Sequence, residues 1–482
     1  MTRTTVTQDK SAAGPFVLPQ QLGGLHVHMV GIGGCGMSGL AALLIRHGAQ
    51  VSGSDQSASA ELKRLTARGA RITTDQQHSS IPDDADVVVA SAAIPATHPE
   101  RVEAARRGLT VLKYAELLGL VMARYHGIAI SGTHGKSTTT AWLAYVLRSA
   151  GLDPSYVVGA NVSQLGGGSG VGSGPHFVAE ACEYDRSFLY LRPRQAAILN
   201  IEEDHLDCYA DVEAIQEAFR AFAERIPDDG LLVINGRDAR CRAVAERIGA
   251  PVQTYGTHEG ATWRAVDVRL EGGTYEFDVW HGAQALGRVR LGLAGRHNVD
   301  NALAVVASAY PCGVPWPVLQ EGLATFHGAR RRFEHRGTVN GVRILDDYAH
   351  HPTEIRATLE AVQERLAPRR LWCVFQPHQH SRTRFLLADF ARSFAQADEV
   401  IVPDIYFVRD SERERERVCA QDLVDAIQAQ GGAARYVGAF DAIVDLLQRD
   451  VQPDDVVLTM GAGNIWKVAD DLVRRLGGDL PA

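Results

Sequence analysis

No stretch of this chain is long and apolar enough to cross a bilayer. The apolar run ELLGLVMARYHGIAI, residues 116–130, is broken by Arg124 and His126 and falls short of the ~20 apolar residues a spanning helix needs. Cysteine is sparse: seven thiols, scattered singly, with no CxxC pair or metal-like spacing. That excludes a disulfide framework and predicts reduced thiols in a cytoplasmic protein. Charge of one sign is never massed, since 49 Lys+Arg are interspersed with 57 Asp+Glu for a net −8. Neither nucleic acid nor an anionic membrane is therefore expected as the main partner. The alternating run SERERERV, residues 411–418, reads as a solvated face. The opening MTRTTVTQDKSAAGPFVLPQQLGG has no apolar core of signal-peptide length and reads as a loose leader.

What is present is a strand–helix alternation. HVHMV, QVSGSD, VVVASAAI, GIAIS, AAILNIE, GLLVIN, GVRILDDY, LWCVFQP, EVIVPDIY and DVVLTM are strand-like, with amphipathic helices between several of them, which predicts a parallel α/β architecture. One segment, residues 261–295, instead alternates and turns on glycines, like an antiparallel meander decorating a middle domain. At 482 residues the chain exceeds one ordinary domain. Composition shifts and loop positions divide it into 1–124, 125–327 and 328–482.

Two glycine loops carry the first chemical signal. Gly31, Gly33 and Gly36 form G-x-G-x-x-G between a strand and a helix, with Asp55 closing the next strand. Glycines there let a pyrophosphate approach the helix N-terminus, and the acid can accept from a ribose hydroxyl. The motif does not distinguish NAD from another nucleoside diphosphate. The second loop, SGTHGKSTTT, has the G-K-S of a phosphate loop, with Lys136 for the terminal phosphates and Ser137 for Mg²⁺. Its spacing departs from the common pattern, because the first glycine is Gly132 and residue 130 is Ile. Two nucleotide sites of different kinds are expected.

In these residues the chain resembles the Mur ligases, the amide-forming ligases of bacterial cell-wall precursor synthesis, over nearly its whole length. VGIGGCGMSGLA and VSGSD resemble the family's UDP-sugar domain; GTHGKSTTT, NIEEDHLD and GRHNVDNALA resemble its ATPase domain. FHGARRRFE, LDDYAHHPTE, FQPHQHSRT and GAGNI resemble the C-terminal domain of the alanine-adding branch. The resemblance implies three α/β domains: a Rossmann-like UDP-binding domain, a central P-loop ATPase domain with a parallel sheet, and a C-terminal Rossmann-like domain that binds the amino acid. It implies ATP and Mg²⁺ as cofactors, UDP-N-acetylmuramate and L-alanine as partners, an acyl-phosphate mechanism, and a monomer or weak homodimer.

Site residues carry over on the matching motifs. The UDP-sugar set is Gly31, Gly33, Gly34, Gly36, Met37, Ser38, Ser54, Asp55 and Ser91. The ATP set is Gly132, Thr133, His134, Gly135, Lys136, Ser137, Thr138, His297, Asn298, Asn301, Arg331 and Tyr348. Ser137, Glu180 and His205 match metal positions, although an imidazole is a poor partner for hard Mg²⁺ and chemistry alone favours for His205 a structural role or one behind the metal's own ligands. Lys136, Arg331, Asp347 and His205 form the implied catalytic set, with Arg331 or Arg332 brought onto ATP by domain closure. His351, His378 and Arg382 match an amino-acid pocket, where a guanidinium pairs with a carboxylate.

Three stretches depart from the family pattern. Ala181-Cys182-Glu183-Tyr184-Asp185 stands where A-D-E-S-D is frequent, Gln379 where arginine is frequent, and DIYFVRDSE replaces D-I-Y-P-A-x-E. Cys182 to Tyr184 and Ala349 lean toward a recycling ligase that adds the tripeptide L-Ala-γ-D-Glu-meso-diaminopimelate to the same UDP-sugar; FQPHQHSRT and RRFE weigh against it. A nicotinamide dehydrogenase would leave Lys136, Ser137 and Glu180 without a role. A non-catalytic nucleotide-binding module would not require Lys136, Arg331 and Asp347.

Overall fold

The computed structural model describes residues 16–76, 80–205, 208–408 and 410–480. These form three sheets, one after another along the chain. The part of the expected leader before residue 16 lies outside the described residues. Its remainder is not loose: Leu18 and Leu22 are buried, and Arg124 donates to the Leu18 and Gln20 carbonyls.

The first sheet is wholly parallel, in the order Arg71–Thr73, Gln50–Ser54, His26–Val30, Val87–Ala90, Thr110–Lys113. Strands such as VVVA are buried throughout, as a sheet covered on both faces requires. Winding reverses between His26–Val30 and Val87–Ala90, which opens a crevice at the strands' C-terminal ends.

The second sheet has ten strands. His126–Ser131 lies between Gln195–Ile198 and His176–Glu180, and all three are parallel. The expected meander exists as Trp263–Glu271, Thr274–His281 and Gln284–Arg290, paired antiparallel. It does not sit apart as a decoration: Tyr255 and Gly256 pair in parallel with Trp263 and Arg264, so the main sheet continues into it. The central sheet is thus mixed, with a second antiparallel pair, Tyr156 to Gly170 and Val157 to Ser169, at its other edge.

The third sheet runs Glu334–Val339, Val342–Asp347, Val456–Met460, Leu371–Phe375, Glu399–Val402, Ala434–Tyr436, parallel except for its first pair. SERERERV forms the short helix Glu412–Arg415 with no buried residue, as its alternating charges predict. No helix among the described residues is long and apolar enough to cross a membrane.

The two boundaries between sheets differ in chemistry. One apolar cluster passes without a break from Val27, Leu117 and Met122 to Phe177, Ile198 and Phe219, so the first two units share a core. The third unit's apolar clusters are its own. It meets the second through Arg382 to Asp204 at 2.7 Å, His134 to Glu354 at 3.2 Å and Tyr275 to Glu364 at 2.5 Å. A polar boundary of this kind permits relative motion more readily than a shared core.

Candidate active site

Each glycine loop follows from its sequence. The chain leaves His26–Val30, turns through Gly31 and enters the helix Cys35–Arg46. Asp55 reaches back from the neighbouring strand, and its Oδ2 accepts from the Gly33 N–H at 2.8 Å. A Cβ on Gly33 would stand 2.8 Å from that same oxygen, so the acid braces the loop. Ser91 follows the strand across the crevice, and a Cβ on Gly31 would lie 3.2 Å from its Cβ. Gly31, Gly33, Gly34, Ser54, Asp55 and Ser91 therefore gather at the C-terminal ends of the inner strands. Met37 is buried within the helix, and Ser38 donates to the Cys35 carbonyl at 3.1 Å.

The second loop leaves His126–Ser131 and caps the helix Lys136–Ser149 with Gly135 at φ +81°. A Cβ there would meet Asn301 Oδ1 at 2.7 Å, so glycine is required both by backbone conformation and by space. Asn301 in turn donates to Asn298 Oδ1 at 2.9 Å, and Asn298 donates to the Ala294 carbonyl at 2.6 Å. Both amides lie on the almost wholly buried helix His297–Ala309.

Beside this loop opens a cavity of about 540 Å³ between the second and third units. His134, Gly135, Thr138, His297, Asn298, Asn301 and Asp347 line it, as do Arg332 and Glu354. Burial, reinforced by the Arg332 charge and only partly opposed by Glu354, pushes the His297 imidazole down to about 4, which leaves it neutral. Burial likewise lifts the Asp347 carboxyl to about 6, although Arg332 and the N–H groups of Phe333 and Ala349, at 2.6 and 2.8 Å, pull the other way.

Lys136 does not face that cavity. Its ammonium bends back to the Gly132 and Thr133 carbonyls, at 2.6 and 3.0 Å, and to Glu183 Oε1 at 2.9 Å. Burial opposes the charge, but Glu183, Cys182 and Glu180 outweigh it and hold the lysine protonated. Glu183 also lies 3.5 Å from His205 Nε2, and its own burial is overcome by the Lys136 charge and the His205 contact. Its Oε2 is buried without a partner. Glu180 accepts from the Gly159 N–H at 2.8 Å, and Ser137 is buried at the helix start.

The arginine triplet divides its labour. Arg331 donates to Asp346 at 2.8 Å and to the carbonyls of Gly461 and Gly463 at 2.7 and 3.0 Å, so it is bound within the third unit and does not line the cavity. Arg332 does line it, 5.1 Å above the Tyr348 ring. The Tyr348 ring is also 5.2 Å from the guanidinium of Arg331.

The amino-acid triad is not gathered as one group. Arg382 lies with His378, at 3.4 Å, and both its Nε and Nη2 donate to Asp204 Oδ1, at 3.2 and 2.7 Å. Burial would raise Asp204, but Arg382 and the nearby His205, His350 and His351 hold it well below the usual carboxylate range. Arg382 and His205 line a second, small cavity of about 70 Å³. His351 instead caps the helix Pro352–Leu366 and turns to the phosphate loop, with its ring 4.7 Å from that of His134.

Several residues here escaped the sequence reading: Glu183, Glu202, Asp204 and Glu354. The last left a signal, since H-P-T-E places proline at N1 and an acid at N3 of a helix start. Glu354 Oε2 accepts from the N–H of His350, the residue before the N-cap, at 3.0 Å. The others lie in loops, where proximity comes from distant segments.

Comparison with known proteins places this geometry. Three family models match in succession: "Mur ligase family, catalytic domain" over residues 26–126, "Mur ligase middle domain" over 130–309, and "Mur ligase, glutamate ligase domain" over 331–463. The UDP-N-acetylmuramate–L-alanine ligase of Clostridium novyi is 43% identical over 445 residues, covering 92% of this chain and 96% of that protein. That of Geobacter sulfurreducens is 43% identical over 452 residues, covering 93% and 97%. Among solved structures, the UDP-N-acetylmuramate–alanine ligase of Thermotoga maritima superposes with a TM-score of 0.78 at 26% identity, covering 94% of this chain and 99% of that one. A murein peptide ligase of Psychrobacter arcticus reaches 0.68 at 26% identity, covering 95% and 100%. With a relative of such identity along nine-tenths of its length and all three family models in order, this chain belongs to the Mur ligase family.

Proposed function

We propose that this chain is an ATP-dependent ligase that joins L-alanine to the carboxylate of UDP-N-acetylmuramate, giving UDP-N-acetylmuramoyl-L-alanine, ADP and phosphate for peptidoglycan precursor synthesis. The observation that carries the reading is the phosphate loop placed at a cleft between the units, opposite Arg332 and Asp347 of the third unit. The names of its relatives supply the substrates.

The chemistry needs two steps. A muramyl carboxylate oxygen takes the γ-phosphoryl group and ADP leaves; the alanine amine then attacks the acyl carbon, phosphate departs and the amine releases a proton. Phosphoryl transfer is helped mainly by positioning and charge neutralisation. In this reading, the loop N–H groups cradle the phosphates and Lys136, released from Glu183, meets the terminal ones. His297, Asn298 and Asn301 face the nucleoside, with Asp347 near the ribose and Tyr348 near the base. Arg332, more than Arg331, supplies the cationic side chain from the third unit.

The crevice of Gly31, Gly33, Gly34, Gly36, Ser54, Asp55 and Ser91 takes the UDP, with Met37 and Ser38 supporting the helix behind it. The small cavity shared by His205 and Arg382 takes the amino acid, whose carboxylate would replace Asp204 on the guanidinium. His378 borders that subsite, and His351 the phosphate side. Mg²⁺ would be held beside Lys136 by Ser137, Glu180 and the unpartnered Glu183 oxygen, the hard ligands it prefers. Bound there, it would neutralise phosphate charge; His205 remains at the margin of that set.

We take the unit boundaries to fall near residues 124 and 327. The enzyme works in the cytoplasm, as a monomer or weak homodimer. ADP release with Mg²⁺, ATP and UDP-N-acetylmuramate tests the function: a requirement for L-alanine supports it. Release only with L-Ala-γ-D-Glu-meso-diaminopimelate would replace it with the recycling reaction.

A further inference from the structure

We propose that His134, Glu202 and His351 form a binding site for a transition-metal ion of the Zn²⁺ class, separate from the hard-oxygen site beside Lys136 and bridging the second and third units. Their ligand atoms, two imidazole nitrogens and a carboxylate oxygen, all lie within 4.8 Å of one another. Among the described residues this is the one place where three such groups converge.

The separations suit a small tetrahedral ion. Ligands bonded to Zn²⁺ at about 2.0–2.1 Å stand about 3.3 Å apart in tetrahedral geometry. His134 Nε2 and Glu202 Oε2 are already 3.4 Å apart, and His351 Nδ1 and Glu202 Oε2 are 3.9 Å apart. Closing the set requires a side-chain adjustment within the remaining gap, and no rearrangement of the fold.

The ring orientations are fixed from outside. His134 Nδ1 contacts Glu354 Oε1 at 3.2 Å, and His351 Nε2 contacts the Glu203 carbonyl at 3.2 Å. Each imidazole can thus donate outward through one nitrogen and present the other inward, the arrangement that carboxylates and carbonyls impose on metal-ligating histidines. His134 Nε2 is buried and, apart from the 3.4 Å approach of Glu202 Oε2, has no hydrogen-bond partner. The competing contacts are local: Thr353 donates its hydroxyl to Glu202 Oε2 at 2.7 Å and its N–H to His351 Nδ1 at 3.3 Å.

A two-nitrogen, one-oxygen set selects a borderline ion over Mg²⁺, which prefers oxygen throughout. His134 and Glu202 belong to the second unit and His351 to the third. An ion held by all three clamps the third unit against the phosphate loop, and Zn²⁺ becomes an inhibitor of turnover that a chelator reverses.

The test uses full-length, nucleotide-free protein in excess Mg²⁺, titrated with Zn²⁺ against a chromogenic chelator. One site per chain is expected in the unmodified protein, lost in Glu202→Gln and in His351→Ala and weakened about 10- to 100-fold in Glu354→Gln. Co²⁺ in the unmodified protein supplies a reading independent of variant folding: visible d–d bands without thiolate charge-transfer absorption are expected. Thiolate bands, which would assign the ion to cysteines, or Zn²⁺ affinity unchanged in Glu202→Gln, would overturn the proposal. So would the lack of any site for Zn²⁺ or Co²⁺ in the presence of excess Mg²⁺.

Discussion

Lys136 and Glu183 form a buried ion pair, Nζ to Oε1 at 2.9 Å, with the ammonium also held by the carbonyls of its own loop. The loop's cation is therefore neutralised by protein, and in the proposed reaction a phosphate would take the place of Glu183. Lys136→Ala is expected to lower the rate of ADP formation by about 100- to 1000-fold, the usual loss for one preorganised charge-stabilising group. Steady-state turnover checks this. Glu183→Gln should strengthen nucleotide binding while slowing turnover, which equilibrium binding of a non-hydrolysable ATP analogue separates from catalysis.

Arg331 and Arg332 are adjacent yet bound for different ends. Asp346 is fully buried and its charge rests on Arg331, so Arg331→Ala should destabilise the protein by about 3 kcal/mol, as breaking a buried pair does. Arg332→Ala leaves no such orphan, because its ion-pair contact with Glu354 is at 4.0 Å and buried Asp347 keeps the N–H groups of Phe333 and Ala349. It should melt within a few degrees of the unmodified protein and lose about 100-fold in turnover. Thermal denaturation beside a kinetic assay distinguishes the two.

Asp204 and Arg382 join the second and third units through a buried, two-nitrogen contact. Asp204→Asn leaves the guanidinium without its countercharge, so the closed arrangement should loosen. Small-angle scattering of the variant without ligands should give a larger radius of gyration, and alanine should restore compaction if its carboxylate takes Asp204's place. An unchanged radius in Asp204→Asn would mean the pair does not hold the units together.

His134 sets a pH window. Burial alone would depress it, but Glu202 and Glu354 raise it from 6.5 to about 9, while Glu202 is held down to about 2. The histidine's contribution is complete below its unfolded value of 6.5 and is lost as pH rises through about 9. The carboxylates' side is complete above about 4.5 and is lost only in acid. Chelator-treated protein should thus exceed His134→Gln in stability between pH 4.5 and 6.5, by on the order of 3 kcal/mol, with the advantage gone above pH 9. Denaturant midpoints across that range measure it.

Much of the fold could be read along the chain because strand and helix periods are local. HVHMV, VVVA and LWCVF are short apolar runs bounded by turn residues, and each becomes a buried strand. The short strands Arg71–Thr73, Ser155–Val157 and Ala434–Tyr436 left too few residues for a pattern. The parallel join from Val252–Gly256 to the meander was equally hidden, since two residue pairs carry it.

By itself the sequence determined which chemistry is available: two glycine loops after two strands, a lysine at a helix start, and histidines and arginines at strand ends. Those follow from backbone conformations and spacings within about ten residues. Only the tertiary structure decided partnership. It gave Lys136 to Glu183, Arg331 to Asp346, Arg382 to Asp204 and His351 to the neighbourhood of His134. Ion pairing and desolvation depend on distances between atoms far apart in the chain, and those distances exist only once the three sheets have packed.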